Sequence, residues 1–118
     1  QDEPEDFVLG TGESHSVREF LGEAFGSVGL NWEDYVKIDP RYFRPTEVNY
    51  LLADPGKARK ALNWAPKIKF HELVKIMVDA DLELIGQNCP GQGKEIVNEK
   101  FESWHKWDHQ IISMEGTK

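Results

Sequence analysis

Apolar residues occur along this chain in short runs, each broken by proline, glycine or a cluster of charge. Residues 6–11 (DFVLGT) are one such run behind a charged leader, and they read as a strand. Ser16 then stands as a natural N-cap, and Glu19, three residues on, completes the pattern of a capping box. Val17, Phe20, Leu21, Ala24, Phe25 and Val28 repeat at 3-1-3-1-3 spacing, which places them on one face of a helix that Gly29 is positioned to end. Residues 32–38 (WEDYVKI) alternate loosely, as a second strand would, until Asp39-Pro40 breaks them.

Residues 41–52 (RYFRPTEVNYLL) are predicted extended, because Pro45 biases Arg44 away from helical backbone. Asp54 as N-cap and Pro55 at the first helical position open a second helix through Ala58, Ala61 and Leu62, with Trp64 and Pro66 at its exit. A third helix is predicted over 70–85, with Leu73, Met77, Ala80 and Leu84 as its buried stripe. Residues 86–93 are polar and glycine-rich and read as a loop. From Lys94 onward a weaker amphipathic helix is predicted through Val97, Phe101, Trp104 and Ile111. The pattern as a whole predicts a small α/β domain over residues 1–88, with about three main helices and short strands, and a divergent tail over 89–118.

Composition narrows the partners. A chain of 118 residues with 39% hydrophobic content supports one modest core. Its 14 basic residues against 21 acidic ones give a formal charge of −7, which argues against a general nucleic-acid binder and against an anionic membrane surface. No apolar run comes near the roughly 20 residues that span a bilayer. The opening Gln1-Asp2-Glu3-Pro4 is expected not to be a signal peptide. Cys89 stands alone and cannot form an internal disulfide, so a reducing, cytoplasmic compartment is the expectation.

The chemistry concentrates at residues 39–48 (DPRYFRPTEV), where Arg44 and Glu47 stand three apart around a proline. A guanidinium suits a pyrophosphate because its fork donates two parallel, charge-assisted bonds. A carboxylate suits a ribose because it accepts from two neighbouring hydroxyls. An ordinary salt bridge at a turn explains the same spacing, and spacing alone leaves both readings open.

In order along the chain, DFVLGTGESHSVREF, NWEDYVKIDPRYFRPTEV, LLADPGKARKALNWAPK and ELVKIMVDADLEL resemble the C-terminal third of the GDP-mannose 4,6-dehydratases, over about residues 6–85. RPTEV with the downstream LNWAP carries most of that resemblance. The family is a branch of the extended short-chain dehydrogenase/reductases. The resemblance implies the small substrate-binding domain that closes over the nucleotide sugar, with NADP and the catalytic residues held by a separate Rossmann domain. It further implies that Arg44 meets the GDP pyrophosphate, that Glu47 meets the guanosine ribose, and that the parent enzyme self-associates.

The family's lyase chemistry requires a Tyr-x-x-x-Lys pair, and none occurs: Tyr35, Tyr42 and Tyr50 are followed four residues on by Asp39, Thr46 and Asp54. Gly22, Gly26 and Gly29 imitate a dinucleotide fingerprint but lie in a predicted helix behind no strand. The chain is therefore expected to hold no catalytic residue, no cofactor and no metal of its own, and to bind GDP-mannose and a Rossmann partner. A non-catalytic interaction protein, or part of a related GDP-sugar reductase or epimerase, stands as the alternative. Arg18, unfavourable toward the helix dipole, reads as a solvated side chain. His105 and His109 have the spacing of a two-histidine clamp, yet no third ligand accompanies them. Trp104, Trp107, Ile111 and Ile112 read as packing residues, and Cys89 is given no role.

Overall fold

Ser16 opens the first helix as its sequence requires. Its Oγ accepts the Glu19 amide at 3.1 Å while the Glu19 carboxylate accepts the Ser16 amide at 2.6 Å, the reciprocal pair of a capping box. The helix, α1, spans Val17–Ser27 in this computed structural model, which describes residues 3–44, 46, 48 and 50–101. Gly29, at φ 74°, turns the chain out of α1, and the Leu30 amide reaches back to the Phe25 carbonyl at 2.9 Å. Phe20, Leu21, Ala24 and Phe25 are half-buried, whereas Val17 is exposed, so the predicted apolar face is only partly covered. Arg18 is not simply solvated, because its guanidinium lies 5.7 Å over the Trp32 ring.

The expected strands are not present among the described residues. Trp32–Asp34 is a 3-10 turn in which the Asn31 side chain accepts the Glu33 amide at 3.3 Å, and Pro40–Tyr42 is a second such turn. Residues 6–11 join no ladder. A strand is held by hydrogen bonds from a second strand, and no described segment supplies them. The helix α2, Gly56–Leu62, answers this segment instead. Lys57 Nζ donates to the Asp6 carbonyl at 3.1 Å and Arg59 Nη2 to the Thr11 carbonyl at 3.2 Å, with the Lys57 ammonium 4.8 Å over the Phe7 ring. The approach of residues 6–11 to the chain before α2 is close enough that a Cβ at Gly10 would stand 2.6 Å from the Ala53 Cβ. Pro55, not Asp54, is the N-cap of α2, without a side-chain cap bond, and the helix begins one residue later than the sequence suggests; Asp54 Oδ1 accepts the Gly56 amide at 2.8 Å from just ahead of it.

The compact units of the chain divide between Phe70 and His71. The second is built on α3, Phe70–Leu84, and α4, Gln92–Lys100, which form a hairpin. The helix predicted from Lys94 thus ends at Lys100, with Phe101 extended; Trp104 and Ile111 lie outside the described residues. Asp79, only 3% exposed, accepts the Gly93 amide at 2.7 Å and the Gly91 amide at 3.3 Å, which caps α4 from the neighbouring helix. Gly93 sits so tightly on α3 that a Cβ there would fall 2.5 Å from the Ile76 Cα. Lys94 pairs with Glu83 at 2.8 Å, and Lys100 pairs with Glu72.

The face that α3 buries is not the predicted one. Val74 and Asp79 are enclosed, while Leu73 (48%), Met77 (43%) and Leu84 (85%) are exposed. Apolar residues surround most of α3, at 73, 74, 76, 77, 78, 80, 82 and 84. Periodicity therefore cannot choose among its stripes, and the partner fixed by Asp79 does. Four α-helices, with no strand among the described residues, correct the α/β expectation of helices with short strands.

Candidate functional site

Residues 39–44 begin with a local carboxylate–guanidinium pair. Asp39 caps the Pro40–Tyr42 turn by accepting the Arg41 amide at 3.0 Å, and its Oδ2 accepts Arg41 Nη2 at 2.6 Å. This contact holds the Asp39 carboxyl below the usual carboxylate range and raises the Arg41 guanidinium further above its own. Arg41 is thereby engaged by its own turn. Phe43 leaves the turn with extended backbone, φ −66° and ψ 128°, and Arg44 follows with its side chain exposed. Among the described residues Arg44 forms no ion pair. Glu47 lies outside the described residues, so its side chain has no described contact with Arg44. Near it in sequence, Tyr42 (80%), Phe43, Val48, Tyr50, Leu51 and Leu52 are all exposed.

A second polar cluster forms where the chain enters α1. His15 stacks on Phe70 with ring centroids 3.8 Å apart and planes 9° from parallel. Its Nε2 lies 3.5 Å from Glu13 and its Nδ1 3.9 Å from Glu19, while Lys69 approaches Glu13 at 3.3 Å. The Lys69 hydrogen bond, with His15 adding to it, holds the Glu13 carboxyl below its ordinary value. Every charged group in the cluster has a neighbour, which describes a fastening between the α1 entry and the residues before α3.

The glycine fingerprint does not form a cradle for a dinucleotide. Gly22 and Gly26 lie within α1, and a Cβ at either would meet nothing within 4 Å, so neither serves a close approach. Among the described residues no three metal-ligating side chains converge. His105 and His109 lie outside the described residues, and Cys89 is half-buried. No described helix is long and apolar enough to cross a membrane.

Two arrangements escaped sequence reasoning. The Glu13, His15 and Glu19 cluster had a signal in its two- and four-residue spacings, but its partners Lys69 and Phe70 are more than fifty residues away. Asp79 had none, since a buried capping carboxylate and an exposed helical aspartate look alike in sequence.

A family model described as GDP-mannose 4,6 dehydratase matches residues 1–77. GDP-mannose 4,6 dehydratase 1 of Arabidopsis thaliana is 60% identical over 84 residues, covering 71% of this chain and 23% of that protein. The human GDP-mannose 4,6 dehydratase is 45% identical over 104 residues, covering 74% of this chain and 28% of the relative. A Yersinia enterocolitica GDP-mannose 4,6-dehydratase is 36% identical over 116 residues, with 75% and 31% covered. The chain spans about a quarter of the length of the curated relatives it matches.

Proposed function

Because the chain belongs to the GDP-mannose 4,6-dehydratase family, we propose that it supplies the surface of such an enzyme that holds GDP-mannose, with Arg44 on the pyrophosphate and Glu47 on the guanosine ribose. The observation that carries this reading is the contrast between two arginines three residues apart. Arg41 is bound in two places by Asp39, whereas Arg44 stands exposed with no ion pair among the described residues. A guanidinium without an ion pair can offer its whole fork to a bidentate anion without first giving up a partner. The exposed aromatic and aliphatic residues near it in sequence support a second surface closing over the ligand, which we assign to the family's Rossmann domain. The family's NADP belongs to that domain in this reading, since the glycines of α1 do not fit it.

The chain supplies recognition and not chemistry: given GDP-mannose and NADP, it forms no 4-keto-6-deoxy product alone. Titration of the chain with GDP, followed by ligand-observed NMR, tests the site. Affinity is expected to be weak, because one wall of the site is absent. Arg44→Lys keeps the charge but loses the fork, and should weaken GDP binding about tenfold. Glu47→Gln should weaken GDP more than a 2′,3′-dideoxy analogue, which lacks the ribose hydroxyls. The same two substitutions in a reconstituted two-domain enzyme give the stricter comparison. Normal GDP-mannose binding by both variants there would show Arg44 and Glu47 to be a structural pair.

A further inference from the structure

We propose that Arg18 is a positioning residue for Arg44: through the face of Trp32 it sets the angle at which the segment carrying Arg44 leaves α1. This role rests on the reading of Arg44 as the pyrophosphate contact. Residues 16–44, which carry it, all lie in the first compact unit.

Arg18 stands where a helix disfavours a cation. It is the second residue of α1, beside the positive end of the helix dipole, and it forms no ion pair among the described residues. An aromatic face answers it instead. Its guanidinium carbon lies 5.7 Å from the centre of the Trp32 ring, within reach of a cation–π contact.

No apolar core orders residues 30–44. None of them is buried, and Tyr35, Ile38, Tyr42 and Phe43 are largely exposed. The segment is tied to α1 by the Leu30 amide on the Phe25 carbonyl at 2.9 Å, by the Tyr35 ring on the Phe25 ring with centroids 5.8 Å apart, and by Arg18 on Trp32. The first two ties meet at Phe25, in the last turn of α1, and the third is made in the first turn. Residues 18 and 25 are seven apart, about two turns and about 10 Å along one face of the helix. A segment held at Phe25 alone is free to pivot there. Held also at Arg18, it keeps one angle to α1.

Short bonds pass that angle along the chain. The Trp32 carbonyl accepts the Tyr35 amide at 3.1 Å and the Val36 amide at 3.0 Å, which closes the first 3-10 turn. The Asp39 carbonyl accepts the Tyr42 amide at 3.1 Å and the Pro40 carbonyl accepts the Phe43 amide at 3.2 Å, which closes the second. Lys37 and Ile38 join the two turns, and Arg44 comes next after Phe43. A two-pronged guanidinium contact depends on direction as much as on distance, so a tilt begun at Trp32 weakens the hold of Arg44 on its anion.

Titration of the whole chain with GDP, read by ligand-observed NMR, tests the role. Arg18→Met keeps the length of the side chain and removes its charge, and the dissociation constant should rise about threefold. Arg18→Lys leaves a cation over the ring and should recover most of the loss. Trp32→Leu should match Arg18→Met, and the double variant should be no worse than either, because all three remove one contact. A charge that attracts the nucleotide from a distance would act equally with or without Trp32, so additive losses would overturn the proposal. Unchanged affinity in Arg18→Met, with GDP weakened by Arg44→Lys, would overturn it and leave the reading of Arg44 in place. Normal binding by Arg44→Lys would remove that reading and this role with it. Circular dichroism accompanies each titration. Should Trp32→Leu lose helix, Arg18→Met against Arg18→Lys decides alone, and equal affinities of those two variants overturn the proposal.

Discussion

Residues 3–70 enclose Ala58 and Pro55, and their helix α1 has no fully buried residue, whereas the much shorter α3–α4 hairpin encloses Val74, Asp79, Gly93 and Val97. The first region is the part the family model matches almost throughout; α4 lies beyond that match. The family-type region is held by fastenings at its edges: the capping box of Ser16, the stack of His15 on Phe70, and the hold of α2 on the carbonyls of residues 6 and 11. The hairpin is held from within by one buried carboxylate and one glycine contact. Most of the exposed large apolar residues belong to the first region, while the shorter hairpin encloses more of its own.

The contrast is broken most severely at Gly93. Gly93→Val would drive a side chain into the Lys75 carbonyl and the Ile76 backbone, and should cost about 3 kcal/mol. Hydrogen exchange resolved by residue should show α4 unprotected and α1 little changed. Equal loss of protection in α1 would mean that the two regions stand or fall together. Asp79→Ala is the next test, because it leaves the buried Gly93 amide without its acceptor and should cost about 2 kcal/mol. Asp79→Asn keeps one carbonyl acceptor and should recover part of that loss. Full stability in both variants would show that the cap contributes nothing.

The smallest effect is a pH signature that differs between the regions. Glu13 and Asp39, both lowered, contribute stability that is complete above their ordinary values and is lost as the pH falls through the lowered ones. Lys94 is raised, first by its hydrogen bond to Glu83, and so contributes below its ordinary value and loses that contribution as the pH rises through the raised one. Acid should therefore loosen residues 3–70 first and alkali the hairpin, each slightly, since the groups are solvent-exposed. Urea midpoints by circular dichroism, with hydrogen exchange to place the change, would sharpen the contrast. The opposite order would contradict it.

What could be read in the sequence was what short spacing determines. Ser16 with Glu19 and Gly29 after α1 act on neighbours within five residues and stand where they were expected, while Asp54 binds the Gly56 amide from one residue ahead of the N-cap it was expected to be. The strands failed because a strand is a statement about a partner, and residues 6–11 are met by α2 side chains instead of a ladder. The stripe on α3 failed because an all-round apolar helix leaves the choice of buried face to its neighbours. Spacing alone left Arg44 open between a salt bridge with Glu47 and a ligand contact, because three residues around a proline do not fix where either side chain points.

At Asp6 and Thr11, Lys57 and Arg59 take hold of the peptide oxygens and not of those residues' side chains. Those two positions can drift through almost any residue without loosening that grip, since every amino acid carries the same oxygen. Gly10 has no such latitude, pinned as it is by Ala53. Among lineages of this protein, variation should therefore gather on either side of position 10 and spare it. A methyl group gained there would be felt before a charge reversed at position 6.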